Sequence, residues 1–154
     1  MEAKEQVPDR TDLRNARIQL EKSGASVVLC RGTILAERHQ RGVLPLLELI
    51  ECDEDFSGCS AADKIVGRAA ALLFVRLGVR AVYGEVMSRG ALAVLSAHGI
   101  AAEYGVLTEG IQNRAGTGSC PMELAVQGID EPEEAYRALR RKTDELRAKQ
   151  EEKK

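Results

Sequence analysis

Residues 60–79, SAADKIVGRAAALLFVRLGV, form the segment around which we expect the rest of the chain to fold. Ile65, Ala69 and Leu73 recur at four-residue spacing, and a second row that begins at Val66 repeats the pattern. These spacings predict a helix that is apolar on nearly every side, which belongs in the centre of a domain. The segment is too short and too charged to cross a bilayer.

The first turn of this predicted helix carries Asp63 and Lys64, and Arg68 follows one turn later. Two cations at the positive end of a helix dipole are unfavourable unless a negative group lies close to them. That group is either a carboxylate of the protein itself or an anionic ligand bound at the helix N-terminus. Gly67 leaves the same two alternatives open, because an interior glycine indicates close packing or the close approach of a ligand.

Size and composition favour one compact cytoplasmic domain. The chain has 154 residues, 44% of them hydrophobic, and a net charge of −2. With three tyrosines, two phenylalanines and no tryptophan, it offers neither a basic field nor a base-stacking platform, so we expect no nucleic-acid partner. The first ten residues lack an apolar signal and no segment has transmembrane length, so we expect no membrane contact either.

The four cysteines are expected to be reduced thiols in the cytoplasm. None forms a C-x-x-C pair, and the two histidines are not at metal-ligand spacing to a cysteine or to each other. We therefore expect no bound metal and no cofactor. Cys52 and Cys59 are interpreted as ordinary thiols of an exposed loop, with a redox pair or metal clip as the alternative.

Local signals divide the chain into alternating helices and strands. Two strand-like runs separated by Gly32 predict an antiparallel hairpin near the N-terminus. Helices and strands then alternate, which favours parallel neighbours joined by right-handed crossovers. The predicted strands are residues 25–31, 33–38, 80–87 and 100–107.

The predicted fold is a three-layer α/β/α sandwich, in which the hairpin is continued by parallel strands and helices cover both faces. Residues 1–10 are interpreted as a flexible lead and residues 11–141 as a single domain. Residues 142–154 are almost wholly charged and are interpreted as a helix end or tail. Such a segment projects into solvent, frays or packs on a partner. A homo-oligomer remains an open alternative.

A polar stretch with three glycines, TEGIQNRAGTGS, spans residues 108–119 and leads into CPMELAVQG. Pro121 suits a first helical turn, which puts Cys120 at the cap position and Glu123 at the third helical position. A glycine-bearing loop before a helix is a candidate anion cradle, although it lacks the G-K-[ST] of a P-loop. A helix start also lowers a thiol pKa, so Cys120 is a candidate nucleophile, with a structural thiol as the alternative.

In a sheet of this kind, ligands bind where helices begin, beyond the carboxyl ends of parallel strands. Three predicted helix starts carry residues suited to binding an anion or to catalysis. For each residue the plainer interpretation is a helix cap or a solvated side chain. The candidates are Asp63 and Lys64 at the first start, Ser88 and Arg89 at the second, and Asn113, Arg114 and Cys120 at the third.

Four segments, GVLPLLELI, DKIVGRAAALL, SRGALAVL and NRAGTGSCPMEL, resemble a small group of prokaryotic proteins that form a domain-of-unknown-function family with a cytidine-deaminase-like fold. The resemblance covers roughly residues 12–140. It implies a mixed sheet flanked by helices. True deaminases of that fold bind zinc between two helix N-termini, through H-x-E or C-x-E at the first and P-C-x-x-C at the second.

The chain departs from that deaminase pattern at every ligand position. Asp63 and Lys64 lie near the positions of the metal ligand and the proton-shuttling glutamate, and Ser88 to Ala91 replace P-C-x-x-C. A catalytic zinc needs three protein ligands, usually with nitrogen or sulfur donors, which these residues do not supply. The resemblance therefore implies the fold without classical zinc-dependent deamination.

The leading hypothesis is a zinc-free, deaminase-like domain that binds a small anionic ligand such as a nucleotide or related metabolite. Lys64, Arg89 and Arg114 would hold the anion, and Asp63 would orient it. One alternative is an enzyme of transfer or hydrolysis that uses Cys120 as nucleophile or Asp63 as general base. A second alternative is a regulatory or assembly protein that uses its charged C-terminal helix as the contact surface.

Overall fold

The computed structural model describes residues 10–111 and 120–152. They form a mixed α/β fold, as predicted. The elements in chain order are α1 Thr11–Ser23, β1 Val27–Arg31, β2 Thr33–Arg38, α2 Leu44–Glu51, β3 Ser60–Val66, α3 Arg68–Leu77, β4 Ala81–Ser88, α4 Arg89–Ala97, β5 Ala101–Thr108, α5 Pro121–Ala125 and α6 Pro132–Glu152.

The strands form one five-stranded sheet in the order β2-β1-β3-β4-β5. β1 is antiparallel to both β2 and β3, whereas β3 and β4, and β4 and β5, are parallel. The turn between β1 and β2 contains Gly32 at a φ of +77°, a left-handed conformation that glycine adopts without strain. The predicted N-terminal hairpin and the parallel strands that continue it are both confirmed.

The predicted helix over residues 60–79 is wrong in its first part. Ser60–Val66 form β3, the central strand of the sheet, and α3 begins only at Arg68. β3 has a strand on each side, and its first three residues are buried, so they resemble a buried helix in composition. The four-residue step from Ile65 to Ala69 crosses the boundary between strand and helix and carries no helical signal.

Helices cover both faces of the sheet, as predicted. On one face, α1 buries Leu13, Ala16 and Leu20 against Ala62 of β3 and Tyr83 of β4. On the other face, α2 to α6 pack around the main core, where most side chains of α3 are buried. The central helix of the domain is therefore α3, as expected, but it is only 10 residues long.

α6 is the longest helix of the described chain and spans 21 residues, Pro132–Glu152. Ala135 and Leu139 are buried in the core, and Thr143 is still buried beyond residue 141. The charged segment after Arg141 continues this helix with mostly exposed side chains. Across the described residues, no helix has the length and apolar character that crossing a membrane requires.

Cys52 and Cys59 were both expected to be thiols of an exposed loop between α2 and β3. This expectation is wrong for Cys59. Cys52 is exposed, whereas Cys59 is fully buried in the main core. Cys59 directly precedes β3, and its amide donates to the carbonyl of Phe56 at 3.1 Å as the chain turns into the sheet. Burial raises the pKa of the Cys59 thiol, which makes it a poor nucleophile.

Candidate functional site

The start of α3 binds a carboxylate of the protein itself. The amides of Arg68 and Ala69 donate to the two carboxylate oxygens of Glu123, at 2.9 and 2.8 Å. Glu123 lies on α5, 54 residues beyond Ala69. A negative charge is favoured here by the helix dipole and by amide groups that have no partner within the helix. The anion position at this helix start is therefore filled by Glu123.

Gly67, which directly precedes α3, leaves room for this contact. A Cβ atom at Gly67 would lie 2.7 Å from Cγ1 of Ile111 and 2.8 Å from a carboxylate oxygen of Glu123. Any side chain at this position would displace one of these two groups. Of the two alternatives predicted for Gly67, the structure shows the close approach of the protein's own side chains.

Arg68 also uses its side chain to hold the segment that follows α5. Its guanidinium donates to the carbonyl of Val126 at 2.6 Å and to the carbonyl of Ile129. It forms an ion pair with Asp130 at 2.7 Å. The negative partner predicted for Arg68 is thus a carboxylate of the protein. The backbone and side chain of this one residue connect α3 to residues 123–130.

The start of α4 is capped locally, as predicted. The hydroxyl of Ser88 accepts a hydrogen bond from the amide of Ala91 at 3.0 Å, and Ser88 is buried. Arg89 follows on the surface, where its Nε donates to Glu109 at 2.6 Å. The side chains of Arg89 and Glu109 are 63% and 87% exposed, so the pair is weakly held and open to exchange.

Asp63 and Lys64 do not lie at a helix start, and that prediction is wrong. Both belong to β3, where an Asp63 carboxylate oxygen accepts from the amide of Ile65 at 3.2 Å. The Lys64 ammonium donates to the carbonyl of Gly24, just after α1, at 3.4 Å. Burial, aided by the nearby Glu85 carboxylate and opposed by main-chain hydrogen bonds, raises the pKa of Asp63 to about 7.

The ladder between β3 and β4 is interrupted beside Asp63 without a change of register. The pairing of β3 with β4 skips Lys64 and Glu85 and resumes where Ile65 pairs with Val86. Val86 in turn pairs with Val106 of β5. Residues paired across neighbouring strands share a face, so Ile65, Val86 and Val106 form one apolar row, which we call the valine row.

The valine row lies on the same face of the sheet as α1 but beyond the end of that helix. The residues that follow Ile65 and Val86 along their strands are buried in the opposite, main core. α1 ends at Ser23, and the following Gly24 lies beside Lys64, the residue before Ile65. α1 therefore does not reach the valine row. Ile65 and Val106 are consequently 54% and 56% exposed.

A cavity of about 480 Å³ lies at the carboxyl ends of β3, β4 and β5. Two members of the valine row form its apolar floor. The polar wall is the end of β5 and the residues after it, where the Thr108 hydroxyl donates to the carbonyl of Gly110 at 3.3 Å. The lining residues are Ile65, Val86, Thr108, Glu109, Gly110 and Ile111.

Cys120 lies next to this cavity. Its amide donates to the carbonyl of Ile111 at 3.0 Å, and its side chain is partly exposed at the start of the five-residue α5. Its sulfur makes no cap hydrogen bond. Cys30 is a weaker nucleophile candidate, because burial and Asp12 raise its pKa to about 11. His39 contacts Glu37 on β2, at the opposite edge of the sheet from β5.

The structure brings some of the predicted site residues together and separates others. Arg89, through Glu109, and Cys120, through Ile111, adjoin the cavity. Asp63 does not line it. The predicted ligand-binding residues Asn113 and Arg114 lie outside the described residues. Among the residues that are described, no group of three or more His, Cys, Asp or Glu side chains is placed to hold a metal ion.

Sequence reasoning missed the floor of the cavity and the role of Glu123. Ile65 and Val86 were available as β-branched residues near strand ends, but Ile65 was assigned to a helix. Glu123 was expected at the third position of its own helix, where a capping box would use it. A contact with α3 leaves no local signal in the sequence.

Comparison with known proteins places this fold in a family. Residues 15–143 match the profile of the family described as TM1506, Domain of unknown function (DUF1893). The chain belongs to the DUF1893 family. The predicted membership in a family of unknown function is confirmed, and the family description names no activity.

A solved DUF1893 structure shows that the similarity extends over nearly the whole chain. The crystal structure of a DUF1893 family protein (TM1506) from Thermotoga maritima is 26% identical in sequence. The alignment covers 92% of this chain and 97% of that one, with a TM-score of 0.81. Among curated proteins, none matches this chain.

Proposed function

We propose that this DUF1893 protein is a zinc-free, cytidine-deaminase-like domain of the cytoplasm that binds a small anionic metabolite of nucleotide type. The observation that carries the proposal is the cavity at the carboxyl ends of three parallel strands, with an apolar floor and an exposed cation beside it. Open α/β sheets commonly bind ligands at this position. The deaminase-like assignment is supported by the mixed sheet and by the sequence resemblance.

The residues at the two helix starts favour binding over zinc chemistry. After β3, the chain enters α3 through Gly67, Arg68 and Ala69, which include no imidazole, thiol or carboxylate. After β4, Ser88 is occupied as a cap. Glu123, the carboxylate that does reach this region, is already bound to two amides. These side chains do not fit a zinc ion that needs three protein ligands.

The cavity suits a ligand with an apolar ring and a negative group. Ile65 and Val86 offer an apolar surface, and the Thr108 hydroxyl and the carbonyl of Gly110 offer polar contacts beside it. A phosphate or carboxylate would take the place of Glu109 beside Arg89. The exposed Arg89–Glu109 pair contributes about 1 kcal/mol or less, so this exchange costs little.

The test compares nucleosides with their 5′-monophosphates by isothermal titration calorimetry. We expect each monophosphate to bind about five- to tenfold more tightly than its nucleoside, a difference of about 1–1.4 kcal/mol. Arg89→Ala should abolish that difference, while Ile65→Ser should weaken both ligand types. The matched control is Arg76→Ala, because Arg76 also forms an exposed ion pair, with Glu133 at the far end of α3.

Two results would contradict this proposal. One is a panel in which neither nucleosides nor nucleotides bind. The other is a preference for phosphate that persists unchanged in Arg89→Ala. Mass spectrometry of small molecules released on denaturing the purified protein gives an independent measurement, and a phosphate-bearing metabolite is the expected result.

The enzyme alternative rests on Cys120, whose amide is bonded to a residue that lines the cavity. Its thiol would act as the nucleophile in a transfer or hydrolysis reaction. Iodoacetamide should then modify Cys120 faster than the exposed Cys52, and a bound ligand should protect it. Equal rates at the two thiols would count against a covalent mechanism. Asp63 would serve as a base only if the ligand reached past the floor of the cavity.

A further inference from the structure

β5 forms one of the two edges of the sheet and leaves apolar side chains exposed there. Within the described chain it pairs only with β4. Tyr104 and Val106 are 43% and 56% exposed. Val106 is the last member of the valine row, so an apolar surface runs across the sheet and stops at this edge. An edge of this kind readily pairs with another strand.

The two edges of the sheet differ in how they are protected. β2 carries Glu37 and Arg38, and its ladder with β1 is irregular between Leu29 and Cys30. Charges and irregular ladders discourage the addition of a further strand. β5 has eight residues, contains no proline, and has one charged residue, Glu103, which is tied to Arg10. The β5 edge is therefore the one prepared for pairing.

Opposite charges lie at the two ends of β5. At its amino end, the Ala101 amide bonds to the carbonyl of Arg80, whose exposed side chain makes no ion pair with any described residue. At its carboxyl end, Glu109 follows the strand, is 87% exposed, and forms only a weak surface pair with Arg89 that it can exchange for another cation. An antiparallel copy of β5 would set each end against the opposite end of its partner. Arg80 of one chain would then face Glu109 of the other.

We propose that two copies of this chain pair along β5, antiparallel and about a twofold axis, to form a homodimer. The pairing joins the two sheets into one and gives each β5 main-chain partners on both sides. It also places Val106 beside the β5 strand of the second copy, which buries part of its exposed side chain. Because the arrangement is isologous, it closes at two copies and leaves only the β2 edges outside. The proposal does not depend on ligand binding.

Light scattering coupled to size-exclusion chromatography tests the dimer over a range of protein concentrations. The wild type should elute with the mass of two chains, and Val106→Lys should shift it to one. The matched control is Ile34→Lys on β2, which places the same charge on the other edge at a residue that is 36% exposed. It should leave the dimer intact.

A charge exchange gives a second test that does not depend on the folding of Val106→Lys. Arg80→Glu and Glu109→Arg should each raise the dimer dissociation constant about fivefold, and the double variant should restore it. A wild type that stays monomeric at every concentration overturns the proposal. A dimer that dissociates with Ile34→Lys but not with Val106→Lys also overturns it.

Discussion

The starts of α3 and α4 follow neighbouring parallel strands, yet their amide groups are satisfied in different ways. α4 uses Ser88, three residues before the amide it accepts from. α3 uses Glu123, which comes 54 residues after Ala69. The local cap stabilises only its own helix. The remote cap also fixes α5 and the chain leading into α6, so it connects the C-terminal part of the fold to the central helix.

The largest effect should come from removing the remote cap. Glu123→Ala leaves the amides of Arg68 and Ala69 without a partner and should lower the free energy of unfolding by about 2–3 kcal/mol. Glu123→Gln keeps one acceptor and should cost about half as much. Urea denaturation measures both. The control is Glu151→Ala, an exposed glutamate near the end of α6, with an expected change below about 0.5 kcal/mol.

The second effect concerns the side chain that holds the same segment. Arg68→Met keeps the aliphatic stem but loses the contacts with Val126, Ile129 and Asp130, and should lower the free energy of unfolding by about 2 kcal/mol. Hydrogen exchange in residues 123–130 should become faster. Asp130→Ala removes only an exposed partner and should cost less than about 1 kcal/mol.

A double variant sharpens the comparison. Because Glu123 and Arg68 hold one segment, their substitutions should be less than additive when combined. Glu123→Ala and Ser88→Ala act on different helix starts and should be nearly additive. Full additivity of Glu123→Ala with Arg68→Met would contradict the idea that the two contacts act together.

A third effect depends on pH and arises from Asp63, in the strand that leads to α3. Its carboxyl has a pKa of about 7 in the folded chain and about 3.9 in an unfolded one. The folded state therefore holds this proton more tightly. The contribution of protonated Asp63 to the free energy of unfolding is fully present below about pH 4 and is lost as pH rises through 7.

Wild type should thus lose about 1–2 kcal/mol between pH 4 and pH 8 relative to Asp63→Asn. The value is smaller than the full pKa shift would give, because the Asp63 side chain is partly exposed. Thermal denaturation at a series of pH values measures the difference. Asp53→Asn, at an exposed residue of the loop between α2 and β3, is the control and should leave the pH dependence unchanged. Parallel curves for wild type and Asp63→Asn would contradict the assignment.

The smallest effect should come from the local cap. Ser88→Ala removes one acceptor and should cost about 1 kcal/mol. Ser88→Asp should recover part of this loss if the buried site tolerates the charge. A loss from Ser88→Ala as large as that from Glu123→Ala would remove the distinction between the two helix starts.

The difference between local and remote contacts also explains which features could be predicted from the sequence. The hairpin about Gly32 and the Ser88 cap are confirmed, because each depends on residues that are close in sequence. The start of α3 was misplaced, because a central strand covered on both faces has the composition of a buried helix. At the candidate site, Arg89 and Cys120 were identified from their positions beside helix starts. Ile65 was not, because its role depends on how β3, β4 and β5 pair, which leaves no local signal in the sequence.

The Glu123 cap on α3 also limits the binding of dissolved anions at the start of that helix. Glu123 belongs to the same polypeptide, so its carboxylate has an effective concentration at this helix start on the order of millimolar or higher. A dissolved anion would have to compete with that carboxylate for the amides of Arg68 and Ala69. Metabolites at micromolar levels would leave it in place. Evolution of a new activity at this helix would therefore have to begin with the loss of Glu123 and the stability it confers, whereas the neighbouring cavity can acquire new ligands by changes at its rim alone.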